Sequence, residues 1–220
     1  MARTLAQRHR LPLWMSEGTR RACEAHAWEL APDQLGLARD GEPLVLGELC
    51  LHPFTVPHDA REPLQLRFTD GNRQLGLVTD LGHASRHVVD SLQGCHALFL
   101  ETNHEPEWVR RSSYPEFLKR RILGDQGHLS NAQAADLLGQ LQHSGLHTVI
   151  AAHLSERNNQ PEQARQALAP VLGCAPEEVR VADPVELREA LLELLCPGPG
   201  GEPEFERGID QVDDLALVED

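Results

Sequence analysis

The chain has 220 residues, 40% of them hydrophobic, with five Phe, three Trp and one Tyr, enough for one substantial core. No run approaches the ~20 apolar residues of a bilayer span, and "ARTLAQRHR" after Met1 leads into no apolar signal segment, so the sequence reads as soluble, unsecreted and cytoplasmic. Cys23, Cys50, Cys95, Cys174 and Cys196 are widely spaced and form no C-x-x-C pair. They imply reduced thiols and exclude a disulfide framework or a zinc ribbon. The net charge of −14 argues against a polyanionic partner, but half of it lies between Glu202 and Asp220, where eight acids face one base. A single domain over 1–196 and an acidic, unstructured tail over 197–220, behind the breaker run "CPGPGGEP", are expected.

In chain order, strand-like runs occur at 11–15, 44–51, 64–68, 74–80, 97–101 and 147–153, and "TDGNR" joins two of them as a hairpin turn. Helical spacing occupies 85–93, 106–122, 130–143, 161–172 and 184–195. Ser130 and Gln133 form the S-x-x-Q pattern of a capping box, which starts a helix just after His128. This alternation predicts an α/β fold with a mixed sheet and covering helices.

Several strands end in groups that bind metals or move protons: "VPH" in His58, "LVTD" in Asp80, "FLETNH" in Glu101 and His104, "VIAAH" in His153. Open α/β sheets gather their sites at strand ends, where a rigid backbone meets accessible loops. Taken alone, each histidine is an ordinary hydrogen-bonded residue. Together with Gly127–His128 they point to a metal or acid–base cluster. A basic run, "RRSSYPEFLKRR" at 110–121, leads directly into "ILGDQGHLSN". It is either a solvated helix face or a phosphate-binding surface formed by Lys119, Arg120 and Arg121 beside a helix start. Tyr114, Phe117 and Trp108 suggest no platform for stacking bases.

The order "VPHDAREP…LRF", "VTDLGH", "FLETNHE", "YPEFLKRRILGDQGHLSNAQAA", "AAHLSERNN" resembles the metallo-β-lactamase superfamily, in its YycJ/WalJ-like branch, near the PhnP phosphodiesterases and tRNase Z. The likeness runs from about residue 1 to about residue 182. It implies a four-layer αββα sandwich and a dinuclear metallohydrolase acting on phosphodiesters, with two Zn²⁺ or Mn²⁺ ions and a nucleic acid or small phosphodiester as substrate. By resemblance, His58 is a ligand of the first metal, Asp80 the bridging carboxylate and His153 the terminal ligand of the second. His128, in "GHLSN", matches a proton donor near the leaving group. His83 is either a substrate contact or partner of a ligand, or a histidine at a helix start; His104 either orients a ligand or is structural.

The superfamily's main ligand string, H-x-H-x-D-H, does not occur in the sequence, and "MARTLAQRHRLPLWMSEGTRRA" resembles the segment that follows it in relatives. The expectation is therefore a partial sandwich lacking its N-terminal strands, with metals bound weakly or not at all, no hydrolytic activity of its own and a tendency to form homo-oligomers. Three functions follow: a phosphodiesterase whose N-terminal part is missing, a binding or regulatory module that has lost catalysis, or an α/β domain with unrelated histidines.

Overall fold

Two five-residue strands, one reading "ALFLE" and the other "TVIAA", dictate the architecture, because chains this continuously apolar must be covered on both faces. The structure, a computed structural model, describes residues 2–25 and 31–182. The expected helix at 184–195 and the acidic tail at 197–220 lie outside the described residues. The elements run α1 (Ala2–His9), β1 (Leu13–Met15), α2 (Glu17–Ala25), β2 (Leu35–Leu37), β3 (Leu44–Leu46), β4 (Leu49–Thr55), β5 (Leu64–Thr69) and β6 (Gln74–Val78). They continue with α3 (Arg86–Leu92), β7 (Ala97–Glu101), α4 (Pro106–Arg111), α5 (Glu116–Ile122), α6 (Asn131–Leu141), β8 (Thr148–Ala152), α7 (Pro161–Leu172) and β9 (Arg180–Val181).

β1 and β2 form a small parallel pair, and the other seven strands form one mixed sheet in the order β3-β4-β5-β6-β7-β8-β9. Pairing is antiparallel from β3 to β6 and parallel from β6 to β9. Side chains alternate across the sheet. Leu98, Leu100, Val149 and Ala151 join Val88 and Leu92 of α3, Leu137, Leu138 and Leu141 of α6, and Leu168 of α7 in the main core. Phe99, Ile150 and Ala152 face the other way, with Leu75 and Leu77.

The α/β class and mixed sheet agree with the sequence reading. The capping box of α6 is present: Ser130 Oγ accepts from Gln133 N at 3.3 Å, and Ser130 N donates to Gln133 Oε1 at 2.9 Å. The single strand expected over 44–51 is instead two strands of a hairpin, turned at Gly47 with φ +61°, a conformation that costs glycine nothing. The single helix expected over 106–122 is two. Ser112 is extended, and Pro115 offers no N–H and disfavours helical angles at the residue before it, so α4 ends at Arg111 and the chain restarts as α5. The short strand β2 has no counterpart among the expected elements.

Candidate metal centre

Three parallel strands deliver their C-terminal ends to one place. Asp80 follows β6, Glu101 closes β7 and His153 follows β8, while His58 comes from the turn after β4 and His128 from the segment before α6. These are the carboxyl ends of the strands, where open sheets leave a crevice. The crevice here has a volume of about 420 Å³; His58, Asp80, His128 and His153 line it together with Tyr114 and Arg121.

Asp80 and His153 both have left-handed backbones, at φ +52° and +55°. Such conformations cost roughly 1–2 kcal/mol in non-glycine residues and persist where the surroundings impose them. They are imposed here by hydrogen bonds across the loops. Leu81 N, next to Asp80, donates to Glu101 Oε2 at 2.7 Å, and Asn103 Nδ2 donates to the His153 carbonyl at 2.9 Å. Gly82 lets the Asp80 loop close against the His128 segment, since a Cβ there would lie 2.2 Å from the Asp125 carbonyl.

Glu101 is the hub. Its side chain is fully buried, and all its acceptor positions are filled: Oε1 accepts from His128 Nδ1 at 2.8 Å and His153 Nδ1 at 2.7 Å, Oε2 from Leu81 N and from Leu129 N at 3.3 Å. Burial raises its pKa, but the bonds from the two imidazoles outweigh that and hold the carboxyl at about 2. The same bond to Glu101 raises the pKa of His153 against the opposing effect of burial. Although Glu101 lies within metal-binding reach of Asp80, His128 and His153, a carboxylate so fully engaged serves as the partner that orients two histidines, leaving the ligand role to others.

Asp80 Oδ1 faces three imidazoles, 3.8 Å from His58 Nε2, 3.8 Å from His153 Nε2 and 3.9 Å from His128 Nδ1. These separations are too long for hydrogen bonds. The two made by Nε2 atoms, those of His58 and His153, each fit a pair of ligand atoms about one cation, which at ~2.0–2.2 Å per bond lie no more than about 4.4 Å apart, whereas His128 Nδ1 is taken up by its bond to Glu101. The tautomers suit this. His58 Nδ1–H donates to the Gly127 carbonyl at 3.0 Å and His153 Nδ1–H to Glu101, so each turns a bare Nε2 toward Asp80. Among the described residues, then, the donor set fits a borderline or hard divalent cation.

The remaining expected residues lie farther out. His83 is exposed, with Nδ1–H donating to the Asp125 carbonyl at 2.8 Å. His104 is 1% exposed beneath the site, pairs with Ser130 in an isolated bridge, and has a pKa pushed down to about 4 by burial; it is neutral at physiological pH. Of the basic run, Arg121 reaches the crevice but is held by Asp59, whose carboxyl it keeps below the usual range. Lys119 turns back to the Arg110 carbonyl at 2.9 Å and to Glu116 at 3.1 Å. Arg120 is exposed outside the crevice lining. The sequence marks Glu101 and Asn103 only as part of a strand end, and Tyr114 only as an aromatic; the partners of the Glu101 and Asn103 side chains lie 20–52 residues away.

No family model matches the chain. It is 35% identical over 168 residues to the exodeoxyribonuclease YycJ of Bacillus anthracis, covering 76% of this chain and 64% of that protein. It is 30% identical over 166 residues to the exodeoxyribonuclease WalJ of Streptococcus pneumoniae, covering 74% and 62%. The chain thus spans just under two thirds of the length of the curated relatives it matches. Among solved structures, the metallo-β-lactamase fold protein YhfI from Bacillus subtilis superposes with a TM-score of 0.58 at 14% identity, over 79% of this chain and 62% of that one. The fold, with acids and histidines at the ends of parallel strands, is the metallo-β-lactamase fold of that protein. In fold and in sequence the chain is similar to the metallo-β-lactamase superfamily, in its YycJ/WalJ-like branch.

Proposed function

We propose that the chain carries the site of a metal-dependent phosphodiester hydrolase acting on nucleic acid. The observation that carries the reading is the approach of His58 Nε2 and His153 Nε2 to one carboxylate oxygen of Asp80, each at 3.8 Å, with tautomers set for ligation. His58, Asp80 and His153 would hold divalent ions, zinc or manganese, with Asp80 able to serve two at once. When bound, such ions polarise a phosphodiester and make water more acidic. Glu101 fixes the rings of His128 and His153 through their Nδ1 atoms. His128 thereby keeps Nε2 free to carry a proton to a leaving oxygen. The names of the relatives, both exodeoxyribonucleases, support nucleic acid as the substrate class.

The test uses Asp80→Asn, because asparagine tolerates a left-handed backbone as well as aspartate does. Where the sequence alone implies weak metal binding or none, the clustered donors make weak Zn²⁺ or Mn²⁺ binding by calorimetry, with cleavage of an end-labelled oligonucleotide, the expected result in the parent chain; both are lost in the variant, with the melting temperature shifted by less than about 3 °C. Metal binding without cleavage in the parent overturns the catalytic reading; binding undiminished in the variant overturns the ligand assignment.

A further inference from the structure

The crevice has two chemically different walls. Opposite the acids and histidines stand Tyr114, Leu118 and Ile122 from the α4–α5 break and α5, with Leu154 from the loop after β8. Histidines apart, Tyr114 is the one aromatic among these lining residues. It is half-buried, and its backbone is fixed by Pro115 ahead and by its N–H donating to Ser112 Oγ at 3.3 Å. Arg157 reaches over the ring from the other side, its guanidinium carbon 5.9 Å from the ring centroid. Arg157 is exposed and lies four residues beyond His153, so the pair spans the two segments that flank the crevice.

We propose that Tyr114 and Arg157 form a subsite for one unpaired nucleobase beside the phosphodiester position, so that the crevice takes a single-stranded or frayed nucleic acid end. The proposal rests on the phosphodiesterase reading for where the phosphate lies. Tyrosine rings and guanidinium planes are the two side-chain surfaces on which bases stack without regard to sequence. A volume of about 420 Å³ lies near the lower end of the roughly 300–1,000 Å³ range of small-molecule sites. It suits one nucleotide unit, and the crevice offers no second aromatic for a paired base. Inside a duplex both faces of a base are already stacked; only an end or an unpaired base has a face to give. The sequence alone suggests no stacking platform; it is the placement of Tyr114 at the crevice that supplies one, and Phe117, 67% exposed on α5, offers a surface for the neighbouring base.

Binding measured with EDTA present, so that no bond is cut, tests this directly. A dye-labelled oligothymidylate and an abasic strand of equal length and charge are titrated with the full chain. The parent should prefer the strand with bases. Tyr114→Ala should weaken oligothymidylate binding about ten-fold, the scale of one lost base stack, and leave the abasic strand within about two-fold. Tyr114→Trp should hold or tighten binding, and Tyr114→Leu, which keeps apolar volume against Leu118, should behave like the alanine variant should the latter fail to fold. Equal weakening of both strands overturns the subsite, as does a parent chain that does not tell them apart. Because no hydrolysis is involved, intact base discrimination in a chain that never cleaves refutes the phosphodiesterase reading and leaves the subsite standing.

Discussion

The two halves of the seven-stranded sheet meet at β6 and differ in how much water touches them. In the parallel half, all five residues of β7 and four of the five in β8 are buried, and their ends carry Glu101 and, one residue on, His153. In the antiparallel half, β3 is half-buried to exposed, and β5 is half-buried at five of its six positions. The candidate site draws Asp80, Glu101 and His153 from the first half. Its loops are also tied to one another: Thr102 N donates to the Ala152 carbonyl at 2.9 Å, Asn103 N to that of Leu129 at 3.0 Å, and Ser155 N to that of Asn103 at 2.9 Å. Strands packed on both faces resist displacement, which a cluster of donors set within a few tenths of an ångström requires. The antiparallel half contributes reach, bringing His58 in from the turn beyond β4.

If that contrast is right, the halves should respond differently to truncation. Leu100, fully buried between α6 and the parallel strands, should cost about 2–5 kcal/mol when changed to alanine. Chemical denaturation gives the number; a cost below about 1 kcal/mol would mean that the parallel half is loosely packed.

A second test separates the hub from the packing around it. Glu101→Gln keeps the shape of the side chain but places an NH₂ where an oxygen accepted two bonds, so either both imidazole donors or both backbone donors lose their acceptor. Metal affinity should fall about 10- to 100-fold, as when other carboxylates behind ligating histidines are removed, and stability by about 1–3 kcal/mol. Unchanged affinity would mean that His153 is held by Asn103 alone.

Both effects were only partly legible in the sequence. "ALFLE" reads as a buried strand with an acid at its tip, and the strand endings pointed to a cluster containing His58, Asp80 and His153, which the structure brings to one crevice. What the string does not carry is where the two oxygens of Glu101 find donors, because those lie at 81, 128, 129 and 153, brought in by two crossovers. The break at Tyr114 was legible in principle from the Tyr-Pro dipeptide. Periodicity across 106–122 masked it, since both short helices share the spacing of one long one. The arginine run shows the opposite failure: composition marked it as free positive charge, whereas Arg121 is paired to Asp59, 62 residues away, and Lys119 folds back on its own helix pair.

pH should sharpen the contrast further. Glu101 falls from 4.5 to about 2 in the folded chain, so its stabilising bonds are fully present above pH 4.5 and disappear as the pH falls toward 2. His153 shifts the other way: its raised pKa favours folding below 6.5, and that contribution is lost as the pH rises through the raised value. A cation needs the same ring unprotonated at Nε2. Apparent metal affinity should therefore drop as pH is lowered through the pKa of His153, by up to about ten-fold per unit for one displaced proton, and the drop should begin above pH 6.5. Titrations at several pH values check this; an affinity flat between pH 6 and 8 would exclude His153 as a ligand.

The smallest effect is expected at the opposite edge of the sheet. Val45 is 72% exposed in the middle of β3, which among the described residues is an edge strand paired only through β4. An exposed apolar position at an open edge contributes little packing energy, and its unpaired N–H and C=O groups can pair with another chain. Val45→Lys should therefore change stability by less than about 0.5 kcal/mol and leave metal binding untouched, since the site draws on strand ends across β6. A lysine on an edge opposes pairing with a second copy, because its charge would have to be buried or matched. If copies of this chain associate through β3, sedimentation should show the variant shifted toward monomer with its melting temperature unchanged. A loss of several degrees would show instead that Val45 is packed, and would make the antiparallel half a structural equal of the parallel one.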